Sequence, residues 1–98
     1  MTQTIDQGVS VSEIFTVKND RGLHTRPATE IVKCAASFKS DIIFKYQKLV
    51  VNAKSILGIL MLAAGRGARI RITATGEDAV EALQALLELA ENQFNIHY

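Results

Sequence analysis

Hydrophobic and polar residues alternate along residues 13–18, 41–46 and 69–75 with the two-residue period of a half-buried β-strand. These three segments and residues 48–53 are predicted to be four strands. The fourth has the clearest pattern, since Ile70, Ile72 and Ala74 share one face and polar residues occupy the other. A tight turn near Gln47 and Lys48 is expected to join the second and third strands, although no glycine marks it.

Three other segments are predicted to be helical from the spacing of their apolar residues and from the residues that flank them. The first covers about residues 25–37, with apolar positions at Ala28, Ile31, Val32 and Ala35, and Phe38 directly after it continues the spacing. The second covers residues 56–62, with Ser55 as its N-cap, and the glycines at 65–67 are expected to end it. The third follows Asp78, which has the spacing of a capping box with Glu81. Its apolar stripe consists of Val80, Leu83, Leu87, Ala90 and Phe94.

The predicted order of elements is therefore β-α-β-β-α-β-α. One face of each strand is polar, so the expected fold is an α+β two-layer open-faced sandwich. It would have a four-stranded antiparallel sheet with three helices on one face. Residues 1–12 are polar, lack the apolar stretch of a signal peptide and are predicted to be a flexible leader. Residues 13–98 are predicted to form a single domain.

Composition narrows the functional classes to which this chain can belong. The 98 residues suit one domain, and a hydrophobic content of 48% supports a packed core. The formal net charge of +1 gives no bias toward a nucleic acid or a membrane surface. No nucleic-acid partner is therefore expected. The longest apolar run is far too short to span a bilayer, so no membrane insertion is predicted.

The cysteine and histidine content excludes several kinds of site. The single cysteine, Cys34, rules out an intrachain disulfide and a CxxC pair, and it is expected to pack against the core. A small domain without disulfides is typical of a reducing cytoplasm, which is the predicted location. His24 and His97 have no helix-spaced ligand partner, so no metal site is predicted, and no cofactor is expected.

A histidine lies between a glycine turn and a helix start in the segment Gly22-Leu23-His24-Thr25-Arg26-Pro27-Ala28. The first N–H groups of a helix have no intrahelical acceptor, and the helix dipole is positive there. A phosphoryl group on His24 could therefore accept hydrogen bonds from the amides of Thr25 and Arg26. The Arg26 guanidinium would add a charge-assisted clamp.

The neighbouring residues would support that chemistry. Pro27 fixes a backbone angle at the chain entry, and Gly22 would let the backbone turn and keep the approach to His24 open. Neutral imidazole is a good nucleophile near neutral pH. By residue type alone, however, an isolated histidine at a helix start is more often an ordinary surface residue.

The same segment resembles the phosphohistidine motif of the HPr family, the phosphocarriers of the phosphoenolpyruvate:sugar phosphotransferase system. A second segment, Asn52-Ala53-Lys54-Ser55-Ile56-Leu57-Gly58, resembles the regulatory-serine region of that family and lies at the usual distance from the histidine. The predicted order of elements also matches, from Glu13 to Phe94. By this resemblance the chain is identified as a member of the HPr family.

The resemblance implies a phosphoryl relay and not a free-standing enzyme. Enzyme I would transfer a phosphoryl group from phosphoenolpyruvate to a ring nitrogen of His24, which is Nδ1 in the family. His24 would then pass the group to an enzyme II A domain for sugar uptake. Arg26 would neutralise phosphate charge, with Gly22, Thr25 and Pro27 in supporting positions.

Ser55 has two compatible interpretations. Its hydroxyl is predicted to cap the second helix, which accounts for the residue without any further role. The resemblance also implies that an HPr kinase/phosphorylase could phosphorylate it. A phosphate there would face a positive helix end and would add up to about two negative charges beside a docking surface.

The second helix has almost no polar face, so it cannot bury its whole circumference on the sheet. Ile59 and Leu62 are predicted to pack inward, while Ile56, Leu57 and Leu60 form an exposed patch near His24. The alternative is that the last helix or the loops cover these side chains. The resemblance favours the patch, because HPr proteins dock enzyme I and other partners through this region.

Two other functions remain open from the sequence. A regulatory binding protein could act through Ser55 and partner docking with little sugar transport, although the retained His24 and Arg26 favour carrier chemistry. An RNA-binding module is disfavoured, because the strand aromatics and dense basic patch needed for base stacking are missing. Arg21 departs from the family pattern, where a small or polar residue is usual, and could assist the phosphate or alter the preference for enzyme I.

Overall fold

The computed structural model describes residues 9–96, which contain four strands and three α-helices. In chain order these are β1 (Val9–Thr16), α1 (Thr25–Ala36), β2 (Asp41–Tyr46), β3 (Leu49–Asn52), α2 (Ile56–Met61), β4 (Arg69–Gly76) and α3 (Ala79–Glu91). A short 3₁₀ turn, Gln93–Asn95, follows α3. The predicted β-α-β-β-α-β-α order is confirmed.

The four strands form one antiparallel sheet in the spatial order β1-β4-β2-β3. The helices cover one face of this sheet, so the predicted open-faced sandwich is confirmed. Tyr46 pairs with Leu49, which leaves a two-residue turn between β2 and β3 as expected. Gln47 in that turn has a φ of 56°, a left-handed conformation that the residue adopts without the help of a glycine.

The core lies between the sheet and the helices. Ile70, Ile72 and Ala74 of β4 are fully buried, as their alternation predicts. Burial of one such isoleucine stabilises the fold by roughly 1.5–3 kcal/mol. The ring of Phe15 contacts Phe44 and Phe94 edge-on, with centroid separations of 5.6 and 5.8 Å. This aromatic group ties β1 to β2 and to the segment that follows α3.

Strand β1 begins at Val9, earlier than the predicted start at Glu13. Residues 9–12, predicted to belong to the flexible leader, instead pair with the end of β4. Two hydroxyl pairs bridge these strands at 3.1 Å, Ser10–Thr75 and Ser12–Thr73. A hydrophobic pattern cannot reveal a strand that is held by polar pairs. Residues 1–8 and 97–98, including His97, lie outside the described residues.

The ends of the last two helices also differ from prediction. Helix α2 ends at Met61, before the expected glycines, and Ala63 takes the left-handed φ of 50° that follows it. The buried face of α3 consists of Ala79, Ala82, Leu83, Leu86 and Ala90. Val80 is 45% exposed and Phe94 lies beyond the helix, so the predicted stripe is wrong at both positions. Small alanines allow α3 to lie close to the sheet, and hydrophobic periodicity gives them little weight.

Asp78 precedes α3 as predicted, but its side chain makes no capping bond to that helix, so the expected capping box is wrong. The carboxylate instead accepts hydrogen bonds from the Ser40 hydroxyl and from the backbone N–H groups of Lys39 and Ser40. These bonds, the Ser40 hydroxyl foremost, lower the pKa of Asp78. Asp78 thus fastens the loop between α1 and β2 to the start of α3.

Candidate functional site

His24 occupies the N-cap position of α1. Its φ of −84° and ψ of −166° are extended, so the chain enters the helix sharply at this residue. The His24 carbonyl accepts the first helical hydrogen bond, from the Ala28 amide at 3.0 Å, while the imidazole makes no capping bond to the helix. The half-buried side chain therefore lies at the N-terminus of the helix and does not cap it.

The first turn of α1 is arranged to favour an anion. By helix geometry the N–H groups of Thr25 and Arg26 have no intrahelical acceptor, and Pro27 has no N–H. No acidic side chain lies in this turn to offset the positive end of the helix. The burial of Pro27 anchors the turn against the core. Together these features supply two backbone donors beside His24.

Gly22 has a φ of +69°, a left-handed conformation that glycine adopts without steric cost. Its N–H bonds the Asn19 carbonyl at 2.9 Å, which closes the turn that precedes the histidine. A Cβ at this position would overlap the Ala64 carbonyl oxygen and lie 2.8 Å from the Gly65 Cα. Gly22 is buried against the α2–β4 loop, so its expected role in keeping the approach to His24 open is corrected to one of close backbone packing.

Arg26 is exposed on the first turn of α1 and takes part in none of the ion pairs found between residues 9 and 96. It borders a shallow pocket of about 290 Å³ that is lined by Thr25, Arg26, Thr29, Glu30, Asn95 and Ile96. The guanidinium is therefore available to an incoming anion. A larger groove of about 820 Å³ runs between β1 and α3 and contains no residue of the histidine motif.

Ser55 is the N-cap of α2, as predicted. Its Oγ accepts a hydrogen bond from the Gly58 amide at 3.0 Å, and its φ of −118° and ψ of 117° are extended. The hydroxyl is thus committed to helix capping. The capping interpretation is sufficient to explain the residue, and it leaves the regulatory interpretation as a prediction.

The outer side of α2 exposes a hydrophobic surface, here called the α2 patch and defined as Ile56, Leu57 and Met61. These side chains are 41%, 69% and 61% exposed, so the last helix and the loops do not cover them. Leu60, which the prediction included, packs partly against the core, and Met61 takes its place. Ile59 and Leu62 are buried as predicted, but the sequence of a helix that is apolar on nearly all sides does not show whether Leu60 or Met61 faces outward.

The α2 patch and His24 are linked through the backbone. The amide of Leu23 donates to the carbonyl of Ala64 at 2.9 Å, so the residue before His24 is bonded to the loop that follows α2. The Met61 end of α2 is therefore the end that is connected, through this loop, to the residue before His24. Ser55 begins the helix at the other end, roughly 9 Å away at 1.5 Å per residue.

Other candidate chemistry is limited in the described part of the chain. Burial raises the pKa of the Cys34 thiol, in keeping with the predicted packing role. Between residues 9 and 96, no group of three His, Cys, Asp or Glu side chains could hold a metal ion. Within the same range, none of the helices has the length and apolar run needed to cross a bilayer.

The fold and the site define a class of small α+β domains that present a histidine at the positive end of the first helix. Residues 11–92 match the family described as PTS-HPr, the HPr component phosphorylation site of the phosphotransferase system. The chain belongs to this HPr family of phosphocarrier proteins, as the resemblance implied.

Individual relatives agree with this assignment. The phosphocarrier protein HPr of Xylella fastidiosa strain Temecula1 is 45% identical over 81 residues, which are 83% of this chain and 91% of that protein. The crystal structure of HPr from Thermoanaerobacter tengcongensis has a TM-score of 0.85 at 38% identity, and covers 90% of this chain and 99% of that one. Crh, the catabolite repression HPr of Bacillus subtilis, has a TM-score of 0.61 at 38% identity and covers 82% and 95%.

Proposed function

We propose that the chain is a cytoplasmic phosphocarrier. It accepts a phosphoryl group on His24 from phosphorylated enzyme I and passes the group to enzyme II A domains for sugar uptake. The observation that carries this proposal is the arrangement at the start of α1. His24 directly precedes two first-turn amides that have no intrahelical acceptor, its imidazole does not cap the helix, and Arg26 is exposed on the same turn. Helix starts of this kind stabilise phosphate.

The transfer step needs no co-reactant. A lone pair of the His24 imidazole attacks phosphorus in line and a new N–P bond forms, while the bond between phosphorus and the phosphorylated group of enzyme I breaks with its electron pair returning to that group. Phosphoryl transfer depends mainly on positioning and on charge stabilisation. The Thr25 and Arg26 amides would supply fixed donors, and the exposed Arg26 side chain would supply a positive charge.

The α2 patch is proposed as the docking surface for enzyme I and the enzyme II A domains. It is hydrophobic, exposed and connected to the His24 loop through the Leu23–Ala64 hydrogen bond. A partner seated on Leu57 and Met61 would bring its own active site over the start of α1. Hydrophobic anchors of this size are typical centres of protein interfaces.

The test is a transfer assay with enzyme I and labelled phosphoenolpyruvate. The parent protein is expected to take up an acid-labile label, and His24→Ala is expected to take up none. Ser55→Ala serves as the matched control at the other helix start and should be labelled like the parent. No uptake by the parent, or equal uptake by His24→Ala, would overturn the proposal.

A second phosphorylation, at Ser55 by an HPr kinase/phosphorylase, is proposed as the regulatory input. The Ser55 hydroxyl lies at the start of the helix that carries the α2 patch, directly before Ile56 and Leu57. A phosphate there would place about two negative charges at the edge of the docking surface. An acid-stable label from ATP that persists in Ser55→Ala would contradict this role.

The alternative function is a regulatory protein that acts through Ser55 and partner docking with little sugar transport. Similarity to Crh, whose name describes it as a catabolite repression HPr, favours keeping this alternative. The presence of both His24 and Arg26 favours the carrier. Transfer from the phosphorylated chain to an enzyme II A domain distinguishes the two, because a regulatory protein of this kind would not pass the group on.

A further inference from the structure

Asn19 is a buried side chain that the phosphohistidine motif does not include. It is 0% exposed, and its Nδ2 donates to the Gln93 carbonyl at 2.9 Å. Its Oδ1 has no hydrogen-bond partner within residues 9–96. The backbone carbonyl of the same residue accepts from the Gly22 amide, which closes the turn before His24. One residue therefore joins the His24 loop to the segment after α3.

That segment has an uncommon backbone. Gln93, Phe94 and Asn95 have φ values of 54°, 56° and 61°, so three consecutive residues other than glycine are left-handed. Such residues usually occur singly, because Cβ crowds the following carbonyl. The turn is held by the burial of Phe94 and by a bond from the Ile96 amide to the Gln93 carbonyl at 3.0 Å. Gln93 thus accepts from both Ile96 and Asn19.

The same turn reaches the candidate site from the other side. Asn95 and Ile96 line the shallow pocket together with Thr25 and Arg26. The left-handed turn therefore contacts the Asn19 amide at one end and borders the Arg26 pocket at the other. Backbone strain persists where the surrounding structure fixes it, and it clusters at functional sites.

We propose that Asn19 is a positioning residue for the phosphoryl transfer. Its amide braces the His24 loop against the Gln93–Asn95 turn and so sets the position of His24 relative to Arg26. Asn19 does not touch the phosphoryl group and acts through the backbone of both segments. This inference rests on the proposed function of His24, and it adds a residue that the family motif leaves out.

Variants at both ends of the hydrogen bond separate this role from general stability. Asn19→Ala removes the side-chain donor to the Gln93 carbonyl. If this variant does not fold, Asn19→Ser, which keeps a small polar group, is measured in its place. Gln93→Pro excludes the left-handed φ, whereas Gln93→Gly permits it and keeps the carbonyl. Ile72→Val, in the sheet core, lowers stability without touching the loop and is the matched control.

The first readout is steady-state transfer from phosphorylated enzyme I, below the unfolding temperature of each variant. Asn19→Ala and Gln93→Pro should each lower kcat about tenfold, since small misplacements in the site slow transfer strongly. KM should change by less than about twofold, because the α2 patch is intact. Gln93→Gly and Ile72→Val should resemble the parent. The kcat of the double variant Asn19→Ala/Gln93→Pro should be no lower than that of either single variant, because both substitutions break the same brace.

The second readout is independent of any partner. The nitrogen resonances of the His24 imidazole and the Arg26 side chain should shift in Asn19→Ala and Gln93→Pro but not in Ile72→Val. Parent-like kcat and parent-like resonances in a folded Asn19→Ala protein would overturn the brace, as would an equal loss of kcat in Ile72→Val. If the parent itself takes no label, the proposed function fails, and the resonances alone decide the role of Asn19.

Discussion

The starts of α1 and α2 are built on the same backbone plan and use it differently. His24 and Ser55 are both N-cap residues with extended φ and ψ. Ser55 uses its side chain to bond the Gly58 amide, whereas the His24 imidazole makes no such capping bond. The start of α2 is closed by its own N-cap side chain, and the start of α1 is not.

The cations beside the two helix starts differ in the same way. Lys54, before Ser55, donates its Nζ to the Phe38 carbonyl at 2.8 Å and is thereby bonded to the segment that follows α1. Arg26 takes part in none of the ion pairs among the described residues and borders an open pocket. The Lys54 charge at the start of α2 is held by a hydrogen bond within the fold, whereas the Arg26 charge at the start of α1 is exposed.

The largest expected effect is the loss of that exposed charge. Arg26→Gln should slow transfer from enzyme I about 100-fold, by analogy with the removal of one oxyanion-stabilising donor. Arg69→Gln is the matched control, because it removes the same charge from an exposed position on β4. Rates measured by rapid quench should separate the two variants. Equal rates would mean that Arg26 gives only general electrostatic attraction.

The next effect concerns docking. Leu57→Glu should raise the KM for enzyme I about tenfold, since loss of one hydrophobic anchor is worth about 1.4 kcal/mol. Val80→Glu places the same charge on an exposed apolar position of α3 and should leave KM near the parent value. If both variants raise KM equally, the effect is one of charge and the α2 patch has no special role.

A smaller effect should separate capping from chemistry. Ser55→Ala removes the bond to the Gly58 amide and should lower the free energy of unfolding by about 1 kcal/mol. Transfer to His24 should be unchanged, because Ser55 lies at the far end of α2. Urea denaturation gives the first quantity and the transfer assay the second. An unchanged free energy of unfolding would contradict the capping role. Slower transfer in Ser55→Ala would mean that the start of α2 affects the chemistry at His24.

The smallest effect is a pH dependence at the third helix start. The Ser40 and Lys39 bonds hold the pKa of Asp78 below its usual value of 3.8. The folded pKa is lowered, so this stabilisation is present above about pH 4 and is lost as pH falls through the folded pKa. Acid unfolding followed by circular dichroism should therefore begin at higher pH in Asp78→Asn. Identical acid transitions would show that the Asp78 bonds do not contribute.

Local patterns predicted the fold because most elements pair an apolar face with a polar one. The alternation in β4 and the spacing in α1 identified both elements. The pattern failed where polar pairs or small residues decide the structure, as at Ser10 and Ser12 in β1 and at Ala79 and Ala82 in α3.

The candidate site followed the same division. A glycine turn, a helix start and a capping residue are visible in the sequence around His24, Arg26 and Ser55, but the functional roles predicted for these residues came from the resemblance to the HPr family. Asn19 could not be found from the local sequence, since its partner, the Gln93 carbonyl, is distant in the chain. Leu60 and Met61 were exchanged because the sequence does not give the rotation of a helix that is apolar on nearly all sides.

The central claim is that His24, and not Ser55, receives the phosphoryl group from enzyme I. The most direct measurement is phosphorus-31 NMR of the purified chain after reaction with enzyme I and phosphoenolpyruvate. A single phosphoramidate resonance is expected in the parent and in Ser55→Ala, with none in His24→Ala. A phosphoramidate resonance that survives in His24→Ala, or a phosphate ester that disappears in Ser55→Ala, would contradict the claim.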